Sequence, residues 1–383
     1  VSFTEAKIQT KEILKSAFNY RMVADVPVGV FLSGGYDSTT VTSLIQAQST
    51  TKVKTFTIGV PDIGLNEAPY ARDIAKYLGT EHTEINCTEK EAIEMIKDLP
   101  FFYDEPFADS SAIPTTLVSK EARKDVTVAL SADGGDEVFG GYNRYDYMYR
   151  YGKTLNLIPN AIGKFLAGAM NNIPSEKIPI LKNKYNFHNR YERLKTFLKN
   201  SNKKEIMLNL SQQFNDEQMK SVMKSEFKSL PTMFQSKEML ENFKSPLSYM
   251  MAIDFQTYML DDILQKVDRA TMSNSLEARE PMLDHRILEF TAQLPDEYKY
   301  QNGLKKRILR EITHDYIPKE LWDRANMGFE IPIAKWLKNE LRDHVEEYLN
   351  EDRIEKQGIF NWYFIAKLKV DFFGDRKEYD SKL

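Results

Sequence analysis

Six residues, Ser33-Gly34-Gly35-Tyr36-Asp37-Ser38, stand directly behind the apolar run Val26-Pro27-Val28-Gly29-Val30-Phe31-Leu32. Thr39 to Gln48 follows them with helical character. A chain that leaves a buried strand through paired glycines and restarts as a helix brings its backbone close to a ligand. The unpaired N–H groups of the helix start then point at an anion. Ser33 and Ser38 add hydroxyl donors. Asp37 is out of place beside phosphates unless a cation lies between them, so the loop asks for a polyphosphate accompanied by a metal. A turn that uses Ser and Gly for geometry alone is the bland alternative. A Walker-type loop is excluded, because no Gly-Lys-Ser/Thr follows.

A second acidic loop, Ser131-Ala132-Asp133-Gly134-Gly135-Asp136-Glu137-Val138-Phe139-Gly140-Gly141-Tyr142, leaves another buried run, Val126 to Ser131. Three carboxylates so close together repel one another unless they are solvated, protonated or bound to metal. A solvated turn has the same composition, but this loop sits at a strand end in the same sheet as the first. A third segment runs from Asp261 through Lys266-Val267-Asp268-Arg269 into Ser275-Leu276-Glu277-Ala278-Arg279-Glu280-Pro281-Met282-Leu283-Asp284. By itself it reads as a charged helix and a proline-terminated turn.

The elements around these loops follow from pattern. Ser2 and Glu5 form a capping box ahead of a first helix. Val53 to Val60 and Glu81 to Asn86 read as further strands. Asn66 to Gly79, Thr88 to Leu99 and Ala112 to Lys124 read as helices between them. Strands alternating with helices predict an α/β fold, a parallel sheet with helices on both faces. Ligands then sit beyond the carboxyl ends of the strands, where both loops are. After Tyr142 the strand-like runs stop. Helices are predicted over Ser248 to Ala270, Ile287 to Leu294, Lys299 to Glu311 and Pro332 to Leu349, giving an α/β core over 1–150 and a mainly helical part over 151–383.

The first loop resembles the Ser-Gly-Gly-x-Asp-Ser signature of the pyrophosphate-releasing (PP-loop) ATP enzymes, whose fold is adenine nucleotide alpha-hydrolase-like. The second resembles the Ser-Gly-x-Gly-x-Asp-Glu-x-Phe-x-Gly-Tyr loop of asparagine synthetases. The third resembles that family's Lys-Val-Asp-Arg and Leu-Glu-x-Arg-x-Pro-x-Leu-Asp pattern. The three lie in the family's order, and the likeness covers most of the chain.

This resemblance implies an ATP-dependent amide-forming ligase that adenylates a carboxylate, releases pyrophosphate and lets ammonia displace AMP. Aspartate is the implied acid, and a sugar acid of polysaccharide assembly is the open alternative. The implied cofactors are ATP and Mg²⁺, with Asp37 and Asp136 on the metal. Phe31, Ile58, Ser131 and Ala132 would hold the AMP part, and Ser33, Gly34, Gly35 and Ser38 the pyrophosphate. Asp133 takes the place of a glutamate important for the acyl-adenylate, and Glu277 and Arg279 match the substrate side. Asp104 to Ser111 is a further candidate lining, or a capped turn.

Two departures stand out. Arg324-Ala325-Asn326-Met327-Gly328-Phe329 carries Asn326 where the family has a lysine, while Lys306 matches another family lysine. Asparagine can donate a hydrogen bond but cannot neutralise charge. Arg324 is the candidate replacement, and a degenerate nucleotide-binding scaffold is the competing reading. Second, Val1 is not the cysteine nucleophile that begins the family's glutaminase domain, so that domain is expected to be missing from this chain. Ammonia, free or derived from glutamine, is the expected nitrogen source.

With 383 residues, a net charge of −4, one cysteine (Cys87) and no long apolar run, the chain gives no sign of a nucleic-acid partner, a disulfide framework or a membrane span. Cytoplasm is the expected compartment, small molecules are the expected partners, and a homodimer is left open.

Overall fold

The computed structural model describes residues 1–59, 66–156, 158–173, 178, 191, 194–195, 197–199, 202–226, 228, 230–322 and 331–374. The chain forms two compact units, Val1–Tyr142 with Met251–Ile331, and Asn143–Met250 with Pro332–Leu383. The chain crosses to the second unit after Tyr142 and later returns to the first, where Met251–Ile331 completes that unit's sheet.

Helix α1, Phe3–Met22, starts on the expected capping box of Ser2 and Glu5. It buries Ala6, Thr10, Leu14, Ala17 and Phe18, a single stripe at helical spacing. The sheet contains β1 Val28–Phe31, β2 Lys54–Gly59, β3 Glu81–Asn86, β4 Val128–Leu130 and β5 Glu277–Arg279. Its order is β3-β2-β1-β4-β5, and every pairing is parallel. β1 is flanked by β2 on one side and β4 on the other, so the order of the chain reverses there. That reversal opens a crevice at the carboxyl ends of β1 and β4, the general ligand position in such sheets.

Apolar strand residues Val30, Val128 and Leu130 share a core with α1, with α2 (Tyr36–Gln48) and with the helices His285–Ala292 and Arg307–Thr313. Helix α3, Ala68–Leu78, buries Ala71, Ile74 and Ala75 against Leu32 and Ile317. A further layer is built by Ala112–Ala122, which packs on β2 and on Gln265–Met272. The sequence reading missed β5, because Glu277-Ala278-Arg279 has no apolar run. Only its pairing with Val128, Ala129 and Leu130 makes it a strand.

Several predicted helices are broken. The stretch expected as Ser248 to Ala270 is Pro246–Gln256, a π-helical turn Met259–Leu264 and Gln265–Met272. Between Lys299 and Glu311 the chain makes a tight turn. Gln301 pairs with Leu304, and Asn302, Gly303 and Lys306 all have positive φ. Asn302-Gly303 is a turn dipeptide, and it wins over the helical periodicity.

The second unit is helical. Lys203 there donates to the carbonyls of Leu240 and Phe243, at 2.8 and 2.5 Å, beneath the ring of Tyr249. The helix expected over Pro332 to Leu349 is two, Ile333–Lys338 and Arg342–Tyr348. No helix among the described residues is long and apolar enough to cross a membrane.

Candidate active site

The loop after β1 is held in shape by its own serines. Ser38 Oγ lies 3.0 Å from Ser33 Oγ and accepts from the Ser33 amide at 3.2 Å. Ser33 Oγ in turn accepts from the Gly35 amide. Gly35 is the N-cap of α2 and contributes no side chain, so the helix start is left open toward the crevice. Asp37 lies in the first turn, on the positive end of the helix dipole.

The loop after β4 turns at Gly134 into the short helix Gly135–Phe139. It brings Asp136 toward Asp37, and one cation joins them. Lys306 Nζ lies 2.5 Å from Asp37 Oδ2 and 2.8 Å from Asp136 Oδ1. The approach of the two loops requires glycine at two places. A Cβ on Gly135 would stand 2.3 Å from Asp37 Cγ, and one on Gly141 would stand 1.8 Å from Asp136 Oδ1 and 2.0 Å from Lys306 Cε. Burial pushes the Asp37 carboxyl up to about 6 against the pull of Lys306. Burial also opposes the lysine's charge, but Asp136 and Asp37 outweigh it and hold the ammonium protonated beyond the usual lysine range. Asp37 Oδ1 is buried with no hydrogen-bond partner. An orphaned carboxylate oxygen, in a pair that already shares one cation, suits a divalent metal.

A cleft of about 280 Å³ opens in front of this pair. Of the expected nucleotide residues, Phe31, Ser33, Gly35 and Ser38 line it from the β1 side. Ile58 lines it from β2, and Ser131 and Ala132 from β4. Asp37, Asp133 and Asp136 face it too, with Ser131 Oγ donating to Asp133 Oδ2 at 2.5 Å. Gly34 turns the β1 loop with φ 76°.

The structure does not bring Glu277 and Arg279 to this cleft. Arg279 donates to the carbonyls of Arg21 and Val23 at 2.8 Å each, and to Glu277 at 2.6 Å. That ties the end of α1 to β5, because orphan carbonyls at a helix C-terminus attract a guanidinium. Arg324 and Asn326 lie outside the described residues.

Lys266 lines the cleft, and the sequence reading had not singled it out for a role. Its ammonium is 2.9 Å from both Asp109 Oδ2 and Ser111 Oγ, within the Asp104 to Ser111 segment. A signal was present, since Lys266 sits with Val267 and Ala270 on the buried face of Gln265–Met272. A lysine on an apolar stripe needs a reason. Cys87 is buried, and burial pushes its thiol up to about 11, away from the reactive thiolate form.

Glu137, behind Asp136, is 3% exposed and accepts from Tyr142 Oη at 2.5 Å. Burial, then nearby Asp136 and Asp254, push its carboxyl up to about 8 despite the Tyr142 hydrogen bond. The folded chain therefore holds a proton that the unfolded chain releases near the ordinary glutamate value. Stability from this group is full below that value and is lost as pH rises through about 8. Glu137→Gln is expected to flatten this dependence by a few kcal/mol. Urea midpoints between pH 5 and 9 check it, and equal slopes for both proteins would refute it.

Four matches to known proteins bear on this site. The asparagine synthase family profile matches residues 9–382. The chain is 31% identical over 378 residues to the glutamine-hydrolyzing asparagine synthetase 1 of Bacillus subtilis (strain 168), covering 98% of this chain and 57% of the relative. It is 23% identical over 380 residues to asparagine synthetase 3 of the same strain, covering 94% and 53%. It is 29% identical over 178 residues to asparagine synthetase B of Escherichia coli (strain K12), covering 42% and 31%. The chain thus spans about half the length of the two Bacillus relatives. With a profile match from end to end and an α/β core of parallel strands beneath the two loops, the chain belongs to the asparagine synthase family.

Proposed function

We propose that this chain carries out ATP-dependent amide formation, adenylating the side-chain carboxylate of aspartate and passing it to ammonia. The observation that carries the reading is the meeting of Asp37 and Asp136, from two strand-end loops, at one cation beside the open start of α2. A site of that kind suits a nucleotide triphosphate, whose α-phosphorus must be reached in line by a carboxylate oxygen.

Asp37 and Asp136 would hold Mg²⁺, which when bound neutralises charge on the phosphates and the departing pyrophosphate. Phe31, Ile58, Ser131 and Ala132 would take the nucleoside end of the cleft. Ser33, Ser38 and the backbone of Gly34 and Gly35 would hold the pyrophosphate, in the manner of anion sites at helix starts. The carboxylate oxygen bonds to the α-phosphorus as the bond to the bridging oxygen of pyrophosphate breaks. Lys306 and the α2 amides stabilise the charge that grows on the leaving group. Ammonia then attacks the acyl carbon, AMP leaves with the electron pair of the C–O bond, and a proton is released. Asp133, which lines the cleft, would meet the acyl-adenylate. The relatives named above are glutamine-hydrolyzing, and we assign the supply of ammonia to glutamine hydrolysis, in the cytoplasm.

ATP–pyrophosphate exchange measured with aspartate and with a panel that includes sugar acids tests the proposal. Exchange is expected with aspartate and Mg²⁺. Exchange with another acid alone would move the acceptor and keep the chemistry. Exchange with none would favour the scaffold reading that Asn326 motivates.

A further inference from the structure

Lys306 holds its ammonium between Asp37 and Asp136, the two carboxylates proposed above to hold the metal. Its Nζ touches both carboxylates, and its stem passes over Gly141 so tightly that an added Cβ would lie 2.0 Å from Cε. The backbone is fitted to the same end. Lys306 is in the left-handed conformation, φ 53°, at the junction between the Gln301–Leu304 turn and the helix Arg307–Thr313. A non-glycine residue held there costs conformational energy that the ion pairs must offset.

Charge and coordination set the consequence. Two carboxylates and one ammonium leave a single negative charge, and a divalent ion added to that group would face the ammonium across a few ångströms of buried space. Among the described residues, no group of three or more His, Cys, Asp or Glu side chains is placed to hold a metal. Mg²⁺ prefers six oxygens, so the remaining ligands must come from phosphate and water. A triphosphate provides these oxygens and also gives the ammonium new anionic partners.

We infer that the Lys306 ammonium and a divalent cation are alternative occupants of the Asp37–Asp136 pair, so that metal enters with the polyphosphate that draws Lys306 away. This rests on the nucleotide site proposed above. Its effect is to suppress metal binding without nucleotide and to deliver the lysine to the phosphates in the same step. Lys306 acts in this as a positioning residue as well as a phosphate partner.

Mn²⁺ titration followed by electron paramagnetic resonance tests the exchange without relying on turnover. The unmodified chain is expected to bind Mn²⁺ at least tenfold more weakly alone than with α,β-methylene-ATP. Lys306→Met is expected to bind Mn²⁺ without nucleotide at least tenfold more tightly than the unmodified chain. Lys306→Arg keeps the charge and is expected to stay weak, and D37N added to K306M is expected to remove the gain. A folded K306M with unchanged Mn²⁺ affinity overturns the inference. So does an unmodified chain that binds Mn²⁺ equally with and without the analogue, whatever the variants do. If the Mn²⁺ results hold while no acid supports exchange, the proposed function alone falls. The opposite pattern sinks only the exchange of cations.

Discussion

Asp37→Asn is expected to lower ATP–pyrophosphate exchange by on the order of a thousandfold while leaving the melting temperature at pH 7.5 unchanged or slightly higher. The two halves of this result have different causes. Activity falls because an amide cannot share a metal with Asp136 as a carboxylate can. Stability holds because the Asp37 carboxyl is pushed up to about 6 by burial, so ionising it in the folded chain costs free energy. That group's stability is full below the ordinary aspartate value and is lost as pH rises through about 6, and an amide escapes the loss. Removing one partner of a buried ion pair usually strands the other, at a cost of about 3–5 kcal/mol. Lys306 is not stranded, because Asp136 remains 2.8 Å away. Thermal melting and exchange assays on one preparation decide the matter. A variant that loses several degrees along with its activity would make Asp37 a structural ion-pair partner.

Gly141→Ala is the second large effect, an expected loss on the order of a hundredfold in exchange rate. The new methyl group would stand 1.8 Å from Asp136 Oδ1 and 2.0 Å from Lys306 Cε. No real Cβ tolerates such distances, and both neighbours are side-chain ends that can give way. The fold therefore survives with the acid and the lysine displaced, and misplacement of about 1 Å is enough for a loss of that size. Gly168 provides the contrast. It lies inside the helix Asn160–Asn171, and a Cβ there meets nothing within 4 Å. Gly168→Ala is expected to keep full exchange and to gain up to about 1 kcal/mol of helix stability. Exchange rates and melting curves of the pair check both statements. Full activity in Gly141→Ala would mean that neither side chain has to be where it is found.

Much of the site was legible because its chemistry is local. Ser33 to Ser38 and Ser131 to Gly141 each combine a strand end, glycines and acids within a few residues, so type and spacing alone pointed to phosphate and metal. The parallel sheet was legible for a similar reason, since β1 and β4 are short apolar runs and β2 sets Phe56 and Ile58 among buried threonines. What depended on distant partners was hidden. β5 is a strand only because β4 lies beside it. The acceptors of Arg279, the Arg21 and Val23 carbonyls, lie more than 250 positions away in the sequence. Lys266 gains its meaning from Asp109 and Ser111, more than a hundred positions away in the sequence. The turn before Lys306 lost out to helical periodicity because a periodic count gives Asn302-Gly303 too little weight.

The late arrival of β5 also shapes how the molecule is made. Val128, Ala129 and Leu130 pair with Glu277, Ala278 and Arg279, which leave the ribosome only after the whole Asn143–Met250 excursion. At 5–20 residues per second, β4 waits roughly ten seconds or more with one hydrogen-bonding edge bare. Such high contact order slows folding and leaves the nascent sheet open to pairing with other chains. A synthesis interrupted between these stretches would yield a sticky half-sheet rather than a small nucleotide binder.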